Sequence, residues 1–138
     1  LDEDGLSRFA AERAYKMAGI EPREIDVAEV HDATSFCEIY QIEMMGFCAR
    51  GDGGAFVESG ATALGGKIPV NTSGGLVSKG HPIGATGLSM TAELVAQLRN
   101  EAGERQVDGA NWALAENGGG GIGFDEAACS VLILHKEN

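Results

Sequence analysis

A glycine-rich stretch in the middle of the chain constrains the fold more than any other segment. The stretch NTSGGLVSKGHPIGATG, residues 71–87, holds five glycines and a proline, so it cannot form a regular helix or strand throughout. It runs into GLSMTAELVAQLRNEAG, whose apolar spacing predicts a helix that starts near Thr86 and ends by Gly103. A loop that carries His81 to the start of a helix is typical of a functional site in an α/β domain.

The other segments predict alternating helices and strands. LSRFAAERAYKMA predicts a helix over residues 6–18, ended by Gly19 and Pro22. IDVAEVHD predicts a short strand, and Thr34 or Ser35 would cap a helix over SFCEIYQIEMMG. NWALAEN and AACSVLILHK predict two closing strands. This order predicts an α/β domain with a mixed sheet flanked by helices and at least one antiparallel strand pair.

Residues 47–69 are glycine-rich and show weak periodicity. We expect a surface excursion there, with one brief extended piece at Ala55–Val57.

Composition limits the class of protein and its partners. The 138 residues are 43% hydrophobic and 22% charged, which predicts one globular domain over residues 1–138. A net charge of -11 with scattered basic residues argues against a nucleic-acid partner, and no apolar run is long enough to span a membrane. The beginning LDEDGLSRFA lacks a methionine and a signal sequence, so we expect part of a longer cytoplasmic protein. Three cysteines without CxxC spacing favour a reducing compartment over disulfides or a zinc site.

Two loops carry candidate chemistry. His81 is placed to act as a base, an acid or a hydrogen-bond donor, and His31 with Asp32 ends a predicted strand, where α/β folds place their sites. Asn71 and Asn117 end two other strands, where a side-chain amide can hold a water or a carbonyl oxygen. Tight packing and a capped carbonyl explain a lone histidine equally well, but two such loops in one small domain favour function.

Two other kinds of site fit poorly. Gly118, Gly120 and Gly123 satisfy GxGxxG, but a strand follows instead of a helix, so we expect a turn that approaches a ligand rather than an NAD site. A metal site of His31, Asp32 and His81 lacks the helical HxxxH spacing, and we expect no metal. Lys79 could contact an anionic ligand or merely be solvated.

The motifs VHDATSF, NTSGGLVSKGHPIGATG and ENGGGGIG, in this order, resemble the C-terminal half of a thiolase. The segment ending in QLRNEAGERQVDGA is similar to the sterol-carrier-protein branch of that family. The resemblance covers essentially the whole chain. It implies one half of a five-layered αβαβα arrangement, with the nucleophilic cysteine in the missing N-terminal half.

The resemblance also implies roles for individual residues. His81, in GHP, would activate the absent thiol as a base, and His31 would hold the thioester oxygen as an oxyanion donor. Asn117 joins these two as a catalytic candidate. We expect the substrate to be bound by a further set of loop residues, namely Asn71, Ser73, Gly80, Gly119 and Gly120.

The chain departs from the family where a second cysteine shuttles the α-proton. Asn117 stands at one position that supplies this cysteine, and Ala33 stands at the other, in the HDCF motif of the sterol-carrier branch. Neither side chain titrates near neutral pH, so another group would have to move the proton. Cys37 is a possible substitute, although cysteines on a helix face are usually just buried.

The resemblance leaves three functions open. The first is thiolase-type acyl transfer or C–C cleavage on acyl-CoA thioesters, with coenzyme A as substrate and no other cofactor. The second is retro-aldol cleavage of a 3-hydroxyacyl-CoA, which needs neither cysteine, and the third is a non-catalytic subunit that binds acyl-CoA or a partner. The resemblance further implies a role in lipid metabolism, a homodimer, a possible zinc-ribbon and OB-fold companion, and an inactive isolated fragment.

Overall fold

A computed structural model describes residues 5–122 and 126–137. The helices are α1 (Leu6–Ala18), α2 (Ser35–Met44), α3 (Gly53–Glu58), α4 (Gly75–Lys79) and α5 (Thr86–Leu98), and the strands are β1 (Val27–Glu29), β2 (Trp112–Gly119) and β3 (Ala128–His135). Two short 3₁₀ turns occupy Pro22–Glu24 and Gly103–Arg105. Among the described residues, no helix is both long enough and apolar enough to cross a membrane.

The strands form one mixed sheet in the order β1-β2-β3. β1 runs parallel to β2, with Val27 opposite Ala113. β2 and β3 are antiparallel, from Trp112 opposite His135 to Gly119 opposite Ala128. The predicted α/β class with a mixed sheet is confirmed.

Two apolar cores cover the two faces of the sheet. Ala28, Val30 and Leu114 pack with residues of α1 and α2, including Ile42 and Met44. Because neighbouring strand residues point to opposite faces, Val27, Ala113 and Ala115 join a second core with Met90 and Leu94 of α5. The sheet therefore lies between α1 and α2 on one side and α5 on the other.

The residues that α1 buries are not the large apolar residues whose spacing predicted the helix. The predicted bounds are confirmed, but Phe9 is 55% and Met17 86% exposed, while Ser7, Ala11 and Tyr15 are buried. The Tyr15 hydroxyl donates to the backbone oxygen of Met45 at 2.9 Å, and burial raises the pKa of this phenol. A polar contact to α2 therefore helps to orient the helix, and hydrophobic periodicity does not detect it.

The prediction for residues 47–69 is partly wrong. Ala55–Val57 lies inside helix α3 and is not extended. The Gly53 N–H donates to Glu43 Oε1 at 2.9 Å, and the chain passes so close to α2 that a Cβ on Gly53 would lie 2.9 Å from Ile39 Cγ2. Phe47 and Ile68 are buried, so this segment also contributes to the core.

Candidate functional site

His31 follows β1 and is held by two successive residues of β2. Its backbone N–H donates to Glu116 Oε2 at 2.9 Å, and its Nδ1 lies 2.9 Å from Asn117 Oδ1. An amide oxygen carries no proton, so Nδ1 donates this bond. In the neutral ring Nε2 is then a proton acceptor, and His31 can donate from Nε2 to an oxyanion only as an imidazolium. The residue as a whole is only 9% exposed.

His81 is oriented by the first residue of α5. Its Nδ1 lies 2.7 Å from Thr86 Oγ1, and the Thr86 hydroxyl donates to the backbone oxygen of Pro82 at 3.2 Å. The single hydroxyl proton is thus used, so His81 Nδ1 donates and Nε2 remains as a proton acceptor. The rings of His81 and His31 meet edge to face, with centroids 4.9 Å apart and planes at 87°. Both loops therefore present an imidazole at one place.

Asp32 positions the His81 loop. Its Oδ1 accepts the Leu76 N–H at 2.6 Å and its Oδ2 the Val77 N–H at 3.4 Å, both at the start of α4. Gly75 has φ +64°, and a Cβ there would lie 2.0 Å from Asp32 Oδ2. Only glycine allows this approach. Asp32 is almost fully buried and does not line the cavity that holds the histidines.

Glu29 ties down the same loop from the end of β1. This carboxylate is fully buried and accepts the Ser73 N–H at 3.0 Å and the Ser73 hydroxyl at 2.5 Å. Lys79 Nζ contacts Ser73 Oγ and lies 3.4 Å from Glu29 Oε2. Burial raises the pKa of the Glu29 carboxyl, against the lowering effect of these partners. Ser73, just before α4, and Lys79, the last residue of α4, thus make internal contacts.

A cavity of about 700 Å³ brings most of the predicted residues together. It is lined by His31, Ala33, Cys37, His81, Ile83, Asn117, Gly118, Gly119, Gly120, Glu126, Ala128, Cys129 and Ser130. All three catalytic candidates and two of the substrate-binding candidates are in this set. Asn71, Ser73 and Gly80 line no part of the cavity, and substrate binding by these residues stays a prediction.

Asn71 has an internal role that its sequence position did not indicate. Its Oδ1 accepts the Val30 N–H at 2.9 Å, and its Nδ2 donates to Glu38 Oε2 at 2.8 Å. The residue adopts a left-handed φ of 53°, which asparagine tolerates better than most side chains. Asn71 therefore joins the end of β1 to α2.

Sequence reasoning missed an acidic group beside the cavity. Ligand atoms of Glu116, Glu126 and Cys129 lie within 4.8 Å of one another. Burial, with the charge of Glu126, raises the pKa of Glu116 to about 8 although the His31 N–H opposes the shift. Burial and both carboxylates also raise the pKa of the Cys129 thiol. These shifts oppose the proton loss that a metal ligand requires.

Glu116 left a signal in the sequence and Glu126 did not. Glu116 interrupts the apolar run of a strand, WALAEN, where a buried carboxyl needs a partner. Glu126 precedes β3, and its carboxylate crosses Gly118, where a Cβ would lie 2.0 Å from Oε1. Ser7 and Gln41 donate to it at 2.8 Å from α1 and α2. Contacts between such distant segments cannot be inferred from spacing.

Relatives of known name cover nearly the whole chain. Sterol carrier protein 2 from Oryctolagus cuniculus is 50% identical over 134 residues, which cover 91% of this chain and 24% of that protein. An acetyl-CoA acetyltransferase from Methanothermobacter thermautotrophicus is 51% identical over 111 residues, which cover 80% of this chain and 29% of that protein. The chain thus spans only about a quarter of the length of these relatives.

A solved structure shares the fold. The Ltp2-ChsH2(DUF35) aldolase superposes with a TM-score of 0.81 at 26% identity, over 94% of this chain and 31% of that one. Residues 6–135 match the family described as thiolase C-terminal domain-like. With the three ordered motifs and the paired histidines, this match shows that the chain belongs to the thiolase C-terminal domain-like family.

Proposed function

We propose that this chain is the C-terminal half of a thiolase-type enzyme that performs acyl transfer or C–C bond cleavage on acyl-CoA thioesters. One observation carries the proposal. The rings of His31 and His81 line one cavity with their centroids 4.9 Å apart, and each ring uses Nδ1 for a hydrogen bond within the protein. Such ordering leaves both Nε2 atoms available for the substrate. The name of the acetyl-CoA acetyltransferase relative agrees with this substrate class.

The two imidazoles have separate roles in a thiolase reaction. His81 accepts the proton of a thiol, either coenzyme A or the cysteine supplied by the other half, and so activates it. His31, once protonated, donates from Nε2 to the thioester oxygen, where negative charge develops as the C–C bond breaks. Asn117 keeps the His31 ring in place through Nδ1. Ring orientation therefore depends on the protein and not on the substrate.

Retro-aldol cleavage of a 3-hydroxyacyl-CoA is the second candidate, and the tautomer of His31 favours it. A neutral His31 presents an acceptor at Nε2, as removal of a hydroxyl proton requires. Neither Asn117 nor Ala33, both on the cavity wall, can act as an acid or base at neutral pH. The name of the structural neighbour, an aldolase, points the same way.

The proposal extends to the rest of the protein. An N-terminal half would supply the nucleophilic thiol and the remaining cavity wall, so the isolated chain would be inactive. Coenzyme A enters as a substrate or thioester carrier, without another cofactor. A homodimer, a zinc-ribbon and OB-fold companion, and a cytoplasmic role in lipid metabolism complete the proposal.

The test is product analysis by mass spectrometry on the full-length protein, with any companion co-expressed. One reaction contains a 3-oxoacyl-CoA and free coenzyme A, and the other contains a 3-hydroxyacyl-CoA alone. CoA-dependent cleavage of the oxo substrate supports the thiolase reaction, and CoA-independent cleavage of the hydroxy substrate supports the aldolase. Binding of acyl-CoA without either cleavage would contradict both and indicate a non-catalytic subunit.

Histidine variants connect the activity to this cavity. His81→Ala should lower the cleavage rate by about 10²- to 10⁴-fold, the usual contribution of a positioned acid or base. His135→Ala is the matched control because His135 packs on Trp112 at the opposite end of the β2–β3 pair, with ring centroids 4.0 Å apart. Equal losses in both variants would contradict the assignment of the site.

A further inference from the structure

One charged side chain on the cavity wall has no part in the proposed function. Besides His31 and His81, the described residues that line the cavity include one carboxylate, Glu126, and neither a lysine nor an arginine. In the proposed reactions the two histidines act on the thioester oxygen and on the thiol or hydroxyl proton. The rest of the acyl chain therefore meets a wall whose fixed charge is negative, and this inference rests on the proposed function.

The Glu126 carboxylate is held in place from two helices. Its Oε2 accepts the Ser7 hydroxyl of α1, and its Oε1 accepts the Gln41 amide of α2, both at 2.8 Å. Gln41 is only 2% exposed, and within the described chain its own Oε1 is buried without a hydrogen-bond partner. An ionised carboxylate can only accept, so the amide must turn its NH₂ group toward Glu126 and leave its oxygen unsatisfied. This orientation is the one that a negative charge on Glu126 requires.

The same carboxylate lies directly against the backbone of β2. A Cβ on Gly118 would overlap both carboxylate oxygens of Glu126, so a side chain at that position would displace them. Gly118 follows Asn117, whose amide oxygen orients the His31 ring, and both residues line the cavity. The negative charge is thus fixed one residue along β2 from the group that orients His31.

Two neighbouring groups respond to the charge of Glu126. Burial raises the pKa of the Glu116 carboxyl to about 8, and the charge of Glu126 contributes to this shift. Burial, Glu116 and Glu126 together raise the pKa of the Cys129 thiol, which lines the cavity. Ligand atoms of these three residues lie within 4.8 Å of one another. A further negative charge is therefore disfavoured in this part of the cavity, and a substrate carboxylate would meet the same repulsion.

We propose that Glu126 is a specificity-determining residue that restricts the cavity to acyl-CoA substrates with an uncharged acyl chain. A chain that ends in a methyl group brings no like charge toward the Glu126 carboxylate. A chain with a carboxylate of its own would lose hydration at that group and face Glu126, with no lysine or arginine on the described cavity wall to pair with it. Specificity of this kind comes from repulsion of the wrong substrate.

The test compares acyl-CoA substrates that differ only at the end of the chain. The full-length protein receives 3-oxohexanoyl-CoA or 3-oxoadipyl-CoA with free coenzyme A, and 3-hydroxyhexanoyl-CoA or 3-hydroxyadipyl-CoA alone. The members of each pair have the same length and the same coenzyme A, and one member carries a terminal carboxylate. For whichever pair is cleaved, we expect the wild-type kcat/KM to be at least about tenfold lower for the anionic member.

Variants connect this discrimination to Glu126. Glu126→Gln should lower the ratio of kcat/KM between the neutral and the anionic substrate by about tenfold, whereas Glu126→Asp keeps the charge and should keep the wild-type ratio. Glu137→Gln is the matched control because it removes the same charge from an exposed residue beyond the other end of β3. An unchanged ratio in folded Glu126→Gln would overturn the role of Glu126.

The wild-type protein alone covers the case in which the variants fail to fold. Equal kcat/KM values for the neutral and the anionic member of a cleaved pair would overturn this inference and leave the proposed function intact. Failure to cleave either neutral substrate would overturn the proposed function and this inference with it.

Discussion

Two adjacent residues of β2 determine the position and the tautomer of the His31 ring. Glu116 accepts its backbone N–H, and Asn117 accepts its ring N–H, each at 2.9 Å. Neither bond involves a substrate, so the ring is positioned before the ligand arrives. Preorganised groups of this kind lower the reorganisation needed at the moment of reaction.

Replacing Asn117 should disorder the His31 ring. We expect Asn117→Ala to lower kcat of the full-length enzyme by about tenfold to a hundredfold, because Nδ1 loses the partner that holds the ring and its tautomer. Steady-state kinetics on the cleaved substrate measure the change. Asn111→Ala is the control because, within the described part of the chain, the side-chain amide of Asn111 donates only to Gly109 O, next to the other end of β2. An unchanged kcat in Asn117→Ala would contradict the orienting role.

The buried carboxyl of Glu116 should make stability depend on pH. Its pKa is raised by burial to about 8, so its favourable contribution is complete below the unfolded value of 4.5 and is lost as the pH rises through about 8. Glu116→Gln keeps an acceptor for the His31 N–H but cannot ionise. We therefore expect similar melting temperatures near pH 5 and a variant that is more stable by a few kcal/mol near pH 9.

Thermal unfolding of the full-length protein at several pH values tests this expectation. Glu12→Gln is the control, because that side chain is 54% exposed on α1 and, among residues 5–122 and 126–137, pairs only with Arg8 at the surface. A difference between Glu116→Gln and wild type that stays constant with pH would show that Glu116 does not titrate in this range.

At the scale of elements, α4 and its anchors place the His81 loop. The helix has only five residues, and Asp32 at its start and Glu29 with Lys79 near its end hold it. Both contacts link the loop to β1 or to the residues that directly follow it. The two histidine loops therefore share one support.

Gly75→Ala should disrupt the contact between Asp32 and the start of α4. A Cβ at φ +64° costs about 1–2 kcal/mol, and it would lie 2.0 Å from Asp32 Oδ2, so we expect a loss of at least about 2 kcal/mol of stability and a lower kcat. Gly84→Ala is the matched control in the same loop, since φ is not positive there and no described atom lies within 4 Å of its Cβ. Denaturant unfolding and kinetics compare the two variants. Equal stability would contradict the close approach at Gly75.

The sequence predicted the elements better than the contacts between them. Periodicity located α1, α2, α5 and both long strands, and motif resemblance brought His31, His81 and Asn117 to one site. It failed for α3 and α4, because short glycine-rich helices lack periodicity and depend on tertiary contacts such as Glu43 with the Gly53 N–H. The roles of Asn71 and Ser73 were hidden for the same reason, since Asn71 binds Glu38, 33 residues away, and Ser73 binds Glu29, 44 residues away.

At the scale of the whole molecule, one side of the sheet is incompletely covered. Leu88 is 72%, Leu132 42% and Ile83 83% exposed, and these side chains line a shallow groove of about 320 Å³ next to the histidine cavity. Exposed apolar groups that border a site are typical of a surface that packs against another protein segment. This surface agrees with the proposal that the chain is one half of a larger enzyme.

The full-length protein should be a homodimer, as the resemblance to thiolases implies. Size-exclusion chromatography with light scattering on that protein should give twice the chain mass over a range of concentrations. A monomer at all concentrations would contradict this prediction. Dilution provides the control, because an obligate dimer keeps its mass while weak association does not.

The two hydrogen bonds from His31 to β2 also restrict how the sequence of β2 can change in evolution. Glu116 and Asn117 point to opposite faces of the sheet, so inserting or deleting one residue between Trp112 and Asn117 would exchange their faces. An insertion before Glu116 would bring its carboxyl to the position beside the imidazole ring, whereas a deletion would bring the Asn117 amide into the acidic group beside Cys129. Evolution can therefore replace residues of β2 one at a time. A change in the length of β2 is not tolerated in this way, because it would alter the groups around His31 and the core in a single step.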